Sequence, residues 1–409
     1  MASLDSPAAS PGRFAAFLAP RIGGLPRVFW VLWAGTLINR LGTMVEPFLG
    51  LYLVTTRGLS VGAAGAVVAV LGVGSLAGQL AGGYLADRIG RRVTLTGGTV
   101  GAGAAMLAVG YAGSVPAIIV AALACGFFLD MHRPASAAVV ADVIGPGDRP
   151  RAFGLLFWAV NLGFATAMVL GGVLAAHGYL LLFWIDALTC AAYGLLVWRA
   201  VPETRPERTR DDAGGGFGDV LRDRVLVAYV GLSAVYVFVI LQSMTTMPLA
   251  MRADGLGPGA YGAAVAANGI LIVVVQPLVN TWLARRDHSR VLVAGNALAG
   301  VGIGLTALVG SLPGYIVTVL LWTCGEIISS AVLQAVIADL APPHLRGRYN
   351  AAYGVAWAGG YLIAPLGGTQ LLGLGAPVLW LTCGGLGLAA ALGQLALAPA
   401  IRRRHFSSV

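Results

Sequence analysis

The sequence predicts an all-α polytopic membrane protein whose twelve transmembrane helices form two pseudo-symmetric six-helix bundles. The chain of 409 residues is 58% hydrophobic and 11% charged, which is too apolar for a soluble globular protein. Its apolar residues are grouped in twelve stretches, each long enough to cross a bilayer at ~20 residues per crossing. Short polar motifs recur at matching positions in the two halves of the chain, which indicates an internal repeat.

Polar breaks separate the twelve predicted spans. Several of the stretches are longer than one bilayer thickness, so their helices should tilt or extend into water. We place the spans at residues 28–56, 60–84, 93–112, 115–143, 152–175, 178–200, 224–251, 259–284, 291–311, 314–341, 349–374 and 377–398.

A long polar segment between the sixth and seventh spans divides the chain into two bundles. It combines Pro, Glu, Arg and Asp with three consecutive glycines, a composition typical of flexible linkers. The predicted parts are a cytoplasmic N-terminal segment (1–27), an N-terminal six-helix bundle (28–200), a cytoplasmic linker (201–223), a C-terminal six-helix bundle (224–398) and a cytoplasmic tail (399–409).

Two short motifs of the N-terminal half recur in the C-terminal half. Ala141-Asp142 recurs as Ala338-Asp339, and Trp158-Ala159 recurs as Trp357-Ala358. Related halves imply a pseudo-twofold axis, with a binding site between the halves near the bilayer midplane.

The arginines orient the chain and explain its net charge of +9. Arg supplies all 26 of the Lys-plus-Arg positions, and 22 of them lie in segments that are cytoplasmic if the N terminus is cytoplasmic. Inside-positive loops therefore account for the charge better than nucleic-acid binding does. Both termini should lie on the cytoplasmic side of the inner cell membrane.

The polar residues give no sign of an enzyme. The cysteines Cys125, Cys190, Cys324 and Cys383 lie far apart within apolar stretches, as small buried hydrophobic residues do. We find no metal-ligand spacing, no nucleophile with a convincing base and no phosphate-binding loop. The sequence predicts neither catalysis nor a bound metal or cofactor.

A conspicuously polar break follows the second span. Such charges cannot face lipid, so the segment should form a tight turn at a membrane surface. Asp87 can accept backbone N–H groups at a neighbouring helix start, and Arg91 can pair with a carboxylate such as that of Asp142. The conspicuous residues are Gly83, Asp87, Arg88, Gly90, Arg91 and Arg92.

This pattern, G-x-x-x-D-R-x-G-R-R, resembles the loop signature between the second and third helices of the major facilitator superfamily. The resemblance implies the major facilitator fold and a conformational latch. In that family the corresponding residues hold the two halves together in the outward-open state, with the acid facing the start of the eleventh helix, here near Gly347 to Asn350. The second half of this chain has Leu283-Ala284-Arg285-Arg286 at the matching place, without the Asp.

Ionisable residues inside the spans are candidates for the transport site, because unpaired polar groups are costly in hydrocarbon. Arg40 follows Arg27 by 13 residues, which is about 20 Å along a helix at ~1.5 Å per residue. Similar counts bring Asp130 and Glu326 to the same central plane. The set is Arg40, Glu46, Asp130, His132, Arg133, Asp186 and Glu326.

The chemistry of these residues leaves more than one role open. Asp130 and Arg133 are three apart and share a helix face, while a packing ion pair of Arg40 with Asp130 is the alternative to a functional site. His132 could titrate or simply bond to a neighbouring helix. Glu326 has no acidic or basic neighbour within four residues in its own span, so it is our first choice for a proton carrier.

The whole chain looks closest to the bacterial multidrug-efflux branch of the superfamily, the twelve-helix drug:proton antiporters. The matching stretches are Asn39-Arg40 through Tyr52, Arg133-Pro134-Ala135, Asn161-Leu-Gly163, and Gly325-Glu326 with Arg346-Gly347-Arg348-Tyr349. In such relatives a first-helix Arg and a tenth-helix acid take part in proton coupling. The resemblance therefore assigns proton coupling to Arg40 and Glu326, with Asp130 and Arg133 beside them.

Large apolar rings and adaptable methionines in the cavity helices predict lipophilic or aromatic substrates. We expect a monomeric secondary active transporter that works by alternating access and exports small lipophilic or cationic compounds in exchange for protons. Its partners are the small-molecule substrate, protons and membrane lipid. The alternative is a proton symporter or facilitator for uptake of a metabolite such as a sugar or peptide. The predicted substrate-cavity residues are Glu46, Tyr52, Phe127, Met131, Tyr236, Gln242, Met244 and Trp322.

Overall fold

The computed structural model of the protein describes residues 24–145, 148–204, 222–283, 286–340 and 346–407, and this part of the chain is helical with short connections. The helices are span 1 (Arg27–Gly42 and Val45–Thr55), span 2 (Val61–Arg88), span 3 (Arg91–Tyr111), span 4 (Val115–Val143), span 5 (Arg149–Ala175), span 6 (Leu180–Ala200), span 7 (Arg224–Thr245 and Met247–Ala253), span 8 (Pro258–Leu283), span 9 (His288–Leu305), span 10 (Leu312–Leu340), span 11 (Arg346–Leu374) and span 12 (Ala376–Ser407).

Eleven of these spans are long and apolar enough to cross a membrane. Span 11 is not in that set, although its helix has 29 residues. Its Gly, Tyr, Gln and Thr residues make it less apolar. It packs between span 7 of its own half and span 2 of the other half. The predicted twelve-helix architecture is confirmed, while residues 205–221, most of the predicted linker, lie outside the described residues.

The two halves repeat the same packing pattern. In the N-terminal half, span 4 packs on spans 2 and 3, span 6 packs on spans 1 and 3, and span 5 packs on span 1. Each of these pairs has its counterpart six spans later. Span 10 packs on spans 8 and 9, span 12 packs on spans 7 and 9, and span 11 packs on span 7. The halves meet chiefly where span 2 packs on span 11 and where span 5 packs on span 8. A pseudo-twofold axis relates these two contacts, because spans 8 and 11 correspond to spans 2 and 5.

Span 1 is broken near its middle. The helix stops at Gly42 and begins again at Val45. Pro47 explains the break, because a proline ring clashes with the carbonyl four residues earlier, here that of Thr43, and offers no N–H to it. Span 7 is interrupted at the corresponding place, at Thr246 before Pro248.

Glycines bring the halves into close contact at one end. We call this end, where span 1 finishes and span 2 begins, the far end. The opposite end, where span 1 begins and span 12 finishes, is the terminal end. A methyl group added to Gly172 of span 5 would lie 2.9 Å from the carbonyl oxygen of Pro258 and 3.1 Å from Cα of Gly259. On the other side of the axis, one added to Gly65 of span 2 would lie 2.9 Å from the carbonyl oxygen of Pro365.

The terminal end is open between the halves. One hydrophobic cluster contains residues of both halves and includes far-end residues such as Phe48 and Tyr261, whose rings lie 5.2 Å apart. Two other clusters belong to one half each and lie toward the terminal end. Around Gly83 of span 2 and Gly354 of span 11, an added methyl group would meet no atom of the described residues within 4 Å. The described structure is therefore closed at the far end and open at the terminal end.

Candidate functional site

A central cavity of about 170 Å³ lies between the two halves. Seven spans contribute to its wall, and it combines both signs of charge with apolar and aromatic surface. The residues that line it are Arg40, Thr43, Glu46, Pro47, Arg133, Val160, Asn161, Phe164, Met244, Asn268, Ile272, Glu326 and Tyr361.

Glu326 enters the cavity from the C-terminal half. Its Oε2 accepts a hydrogen bond from Nδ2 of Asn268 over 2.9 Å. The same amide nitrogen donates to Oγ1 of Thr323 at 3.0 Å, so both amide hydrogens are used. Because Asn268 is on span 8 and Glu326 is on span 10, the carboxyl group is held between two helices while it remains accessible from the cavity.

Asp130 is a buried acid of the N-terminal half. Its Oδ1 lies 2.6 Å from Nε of Arg133, and its Oδ2 accepts a hydrogen bond from the Ser75 hydroxyl of span 2. Asp130 is thus paired with Arg133 rather than with Arg40. Among the described residues, the guanidinium group of Arg40 forms no hydrogen bond or ion pair, and it lies on the cavity wall.

Glu46 reaches the cavity through the break in span 1. It lies in the first turn of the second segment, where a carboxylate interacts favourably with the positive end of a helix. The buried Asp186 of span 6 supports this segment from behind, since its Oδ2 accepts the backbone N–H of Val45 at 3.4 Å. Arg40 and Glu46 consequently face the same cavity from opposite sides of the break.

Of the other predicted cavity residues, Met244 lines the central cavity. Tyr52 lies toward the far end, where its hydroxyl donates to the carbonyl of Gly110 at 3.1 Å and accepts from Nε of Arg57 at 2.6 Å. Gln242 is fully buried, and its Nε2 donates to the carbonyl of Ala364 at 3.2 Å, which ties span 7 to span 11.

The remaining four predicted cavity residues pack against helices. Tyr236 and Trp322 are buried in the cluster shared by the two halves. Phe127 forms an edge-to-face pair with Phe128, and Met131 is buried. Aromatic and methionine content indicates how apolar a span is, but it does not reveal which face of the helix points to the cavity.

Several polar residues of the site carry only a weak sequence signal. Ser75 and Tyr361 are uncharged polar residues, and their importance comes from the helices they face. Asn161 lies at the depth of Arg40 but on span 5, which carries no intramembrane charge in the sequence. Comparison of polar residues by depth in every span would have found all three.

The polar loop after span 2 forms a compact structure at the terminal end. Gly90 has a φ of 114°, a conformation that strongly favours glycine. Next to it, the carboxylate of Glu203 accepts the backbone N–H groups of Arg91 at 2.6 Å and Arg92 at 3.2 Å. Glu203 therefore caps the start of span 3.

Arg91 links this loop to span 4. Its Nε lies 3.0 Å from Oδ2 of Asp142, the pairing that the sequence suggested. Asp142 also accepts a hydrogen bond from Oγ1 of Thr204 at 2.8 Å. The beginning of the linker is thus attached to this loop through Glu203 and to span 4 through Thr204.

The other residues of the loop signature have different surroundings. Arg88 is exposed and contacts Tyr84, while the guanidinium carbon of Arg92 lies 4.6 Å from the ring centre of Trp198. Gly83 is within span 2. The side chain of Asp87 lies outside the described part, as do those at the start of span 11, so the latch between the halves stays a prediction.

In the N-terminal half the loop supplies the arginine of its ion pair, whereas in the matching loop of the C-terminal half, before span 9, the loop supplies the acid. Asp287 caps span 9 by accepting the backbone N–H of Arg290 at 3.0 Å. Its other oxygen lies 3.1 Å from Nε of Arg402 in span 12. In the first half the acid comes from the segment after span 6, whereas in the second half the loop itself supplies the acid.

The fold and the shared cavity define a two-bundle membrane transporter, and the comparisons with known proteins agree. The family model of the Major Facilitator Superfamily matches residues 32–365 and 242–407, and the chain belongs to that family. A Na⁺, Li⁺, K⁺/H⁺ antiporter of Planococcus maritimus is 26% identical over 358 residues, covering 79% of this chain and 84% of the relative. A multidrug resistance protein MdtH of Aeromonas hydrophila is 28% identical over 373 residues, covering 88% and 92%.

A solved structure confirms the fold independently of these sequence matches. A mutant of the peptide transporter POT in complex with sulfate superposes with a TM-score of 0.78 at 18% identity, covering 94% of this chain and 96% of that one. At this identity the likeness concerns the fold alone. The chain is a membrane-embedded transporter of the superfamily, and its substrate has to be argued from its own cavity.

Proposed function

We propose that this protein is a secondary active transporter that exports small lipophilic compounds in exchange for protons. The observation that carries the proposal is the placement of Glu326 in a cavity shared by both halves, where it can meet both a proton and a substrate. The relatives that are named as a multidrug resistance protein and a cation/proton antiporter support this choice.

The open end of the cavity fits loading from the cytoplasm. The terminal end carries the arginine-rich segments, which favours a cytoplasmic position under the inside-positive rule. With that orientation the described state is inward-facing, and both termini lie in the cytoplasm of a cell whose inner membrane holds the protein. A lipophilic compound could then enter between the halves and contact Phe164, Met244 and Ile272.

Glu326 is the group we assign to the proton. Because a lone carboxylate surrounded by apolar helices is expensive to keep charged, Glu326 is stabilised either by a proton or by a cationic group of a lipophilic substrate, and the two can exclude one another. The single donor that holds it, Asn268, leaves the carboxyl able to change its charge. The electrostatic potential across the cavity would be set by Arg40, Asp130 and Arg133. Glu46 would contribute to it from the far-end side of the break in span 1.

Proton flux in everted membrane vesicles tests the function. In such vesicles the cytoplasmic face is outside, so an exported compound enters the lumen while protons leave it. With a panel of lipophilic dyes and antibiotics, at least one compound should evoke proton release that requires the protein. If accumulation persists unchanged after the pH gradient is collapsed, coupling is ruled out. Substrate-evoked proton movement in the reverse direction would instead support the uptake alternative.

A further inference from the structure

A second cavity of about 180 Å³ lies inside the N-terminal half, beside the central cavity and toward the terminal end. Arg40 and Arg133 line both cavities. Spans 4, 5 and 6 complete the wall, with His132 and Ser136 on one side and Phe153 on another. Of the described residues that line it, none is acidic.

The two arginines differ in how their charges are balanced. Arg133 is neutralised by Asp130 at 2.6 Å. Arg40 has no hydrogen bond or ion pair with any described residue, and Glu46 lies beyond the helix break on the wall of the other cavity. An unpaired guanidinium away from bulk water is costly. An anion in this cavity would therefore be stabilised by Arg40, which can present two parallel N–H donors to it.

The rest of the wall suits an apolar body attached to that anion. Phe153, Leu156 and Val160 form one side of the cavity along span 5, and Phe153 is 41% exposed in this open state. The hydroxyl groups of Thr36 and Ser136 stand near the charged side. A few directed polar groups in a mainly apolar wall are what small-molecule sites use to orient a ligand.

We propose that this cavity is an anion subsite, in which Arg40 binds the carboxylate or sulfonate of an amphipathic organic anion whose apolar part lies against span 5. That such an anion is exported depends on the proposed function. Its binding does not, because binding requires neither a proton gradient nor a working transport cycle.

Equilibrium binding to the purified full-length protein tests the subsite with three probes of one shape. Naphthoate, naphthylmethanol and naphthylmethylammonium carry a negative, neutral and positive group on the same ring. Naphthoate should bind at least about tenfold more tightly than the alcohol, the factor expected from a charge-assisted hydrogen bond. Arg40→Gln should remove that preference, Arg40→Lys should retain part of it, and the exposed control Arg252→Gln should leave it unchanged.

Each result bears on the proposal directly. Naphthoate that binds wild-type protein no better than the alcohol, including no binding at all, overturns the subsite. So does an Arg40→Gln variant that keeps the full preference. Tighter binding of the ammonium probe would assign the cavity to cations. A normal naphthoate preference together with uncoupled transport would keep the subsite and reject the proton-coupled function.

Discussion

Asn268 on span 8 donates to Glu326 on span 10 over 2.9 Å, and both side chains face the cavity between the halves. The pair joins two helices of one half at the point where the other half presents Arg40 and Arg133. A change in the charge of Glu326 is therefore felt by the helices that form the cavity wall. This relationship leads to the first prediction.

Replacement of Asn268 by alanine should slow coupled efflux by about tenfold, because Glu326 loses a hydrogen bond worth ~1.5–3 kcal/mol when charged. Gradient-driven efflux rates in vesicles measure the effect. Gln276 is a matched control on the same span, since its Nε2 donates to Ser330 at 3.1 Å rather than to a carboxylate. Gln276→Ala should keep more than half of the wild-type rate; equal losses in the two variants would remove the special role of Asn268.

Enlargement of Gly172 should shift the protein away from the state that is closed at the far end. A leucine there would collide with Pro258 and Gly259 across the far-end contact, and overpacking of this kind costs ~1–3 kcal/mol. A cysteine placed at Asn161, which lines the central cavity, should then react more slowly with an impermeant maleimide added from the terminal side. Gly385→Leu on span 12 is the control, because a methyl group there meets no atom within 4 Å. Unchanged labelling in Gly172→Leu would contradict the assignment of the closed end.

Loss of the Asp186 carboxylate should destabilise the fold. It accepts the backbone N–H of Val45 at the break in span 1, and an orphaned buried donor costs ~1–3 kcal/mol. The thermal unfolding midpoint of Asp186→Leu in detergent should therefore fall clearly below that of wild type. Cys190→Ala, which removes a neighbour of Asp186 without touching Val45, should change the midpoint much less. A midpoint for Asp186→Leu equal to that of wild type would show that the break in span 1 does not depend on this carboxylate.

The ion pair at the terminal end should behave as one unit. A double-mutant cycle with Arg91→Gln and Asp142→Asn should show a coupling of ~0.5–3 kcal/mol in efflux or stability. Arg92 provides the comparison, because it lies over Trp198 and not on Asp142. The cycle of Arg92→Gln with Asp142→Asn should be additive. Additivity in both cycles would mean that the Arg91–Asp142 contact does not contribute to the loop.

The sequence predicted the spans, the repeat and the depth of the central charges well, because hydropathy and residue counting measure these directly. Residue counting brought Arg40, Asp130 and Glu326 to one central plane, and the central cavity is lined by Arg40 and Glu326 together with Glu46 and Arg133. The sequence did not identify the partner of Glu326 or the cap of span 3. Asn268 and Glu203 act through helices that are distant in sequence, and only the folded chain brings them to their partners.

The large side chains were harder to place than the charges. Tyr52 and Trp322 lie in spans that line the pathway, yet their rings pack between helices. A span has several faces of similar hydropathy, and the sequence of one chain does not show which face its neighbours cover. Met244 reaches the cavity, and Gln242, two residues earlier, instead ties span 7 to span 11.

The most direct measurement of the central claim compares two transport modes of Glu326→Gln in reconstituted vesicles. Glutamine keeps the size and the hydrogen-bonding oxygen but cannot carry a proton. Efflux driven by a pH gradient should be abolished, while downhill exchange of labelled for unlabelled substrate should stay within about twofold of wild type. Asp254→Asn, at a far-end loop acid bonded to Tyr315, should leave both modes intact. Gradient-driven efflux at the wild-type rate in Glu326→Gln would contradict the assignment of the proton to Glu326.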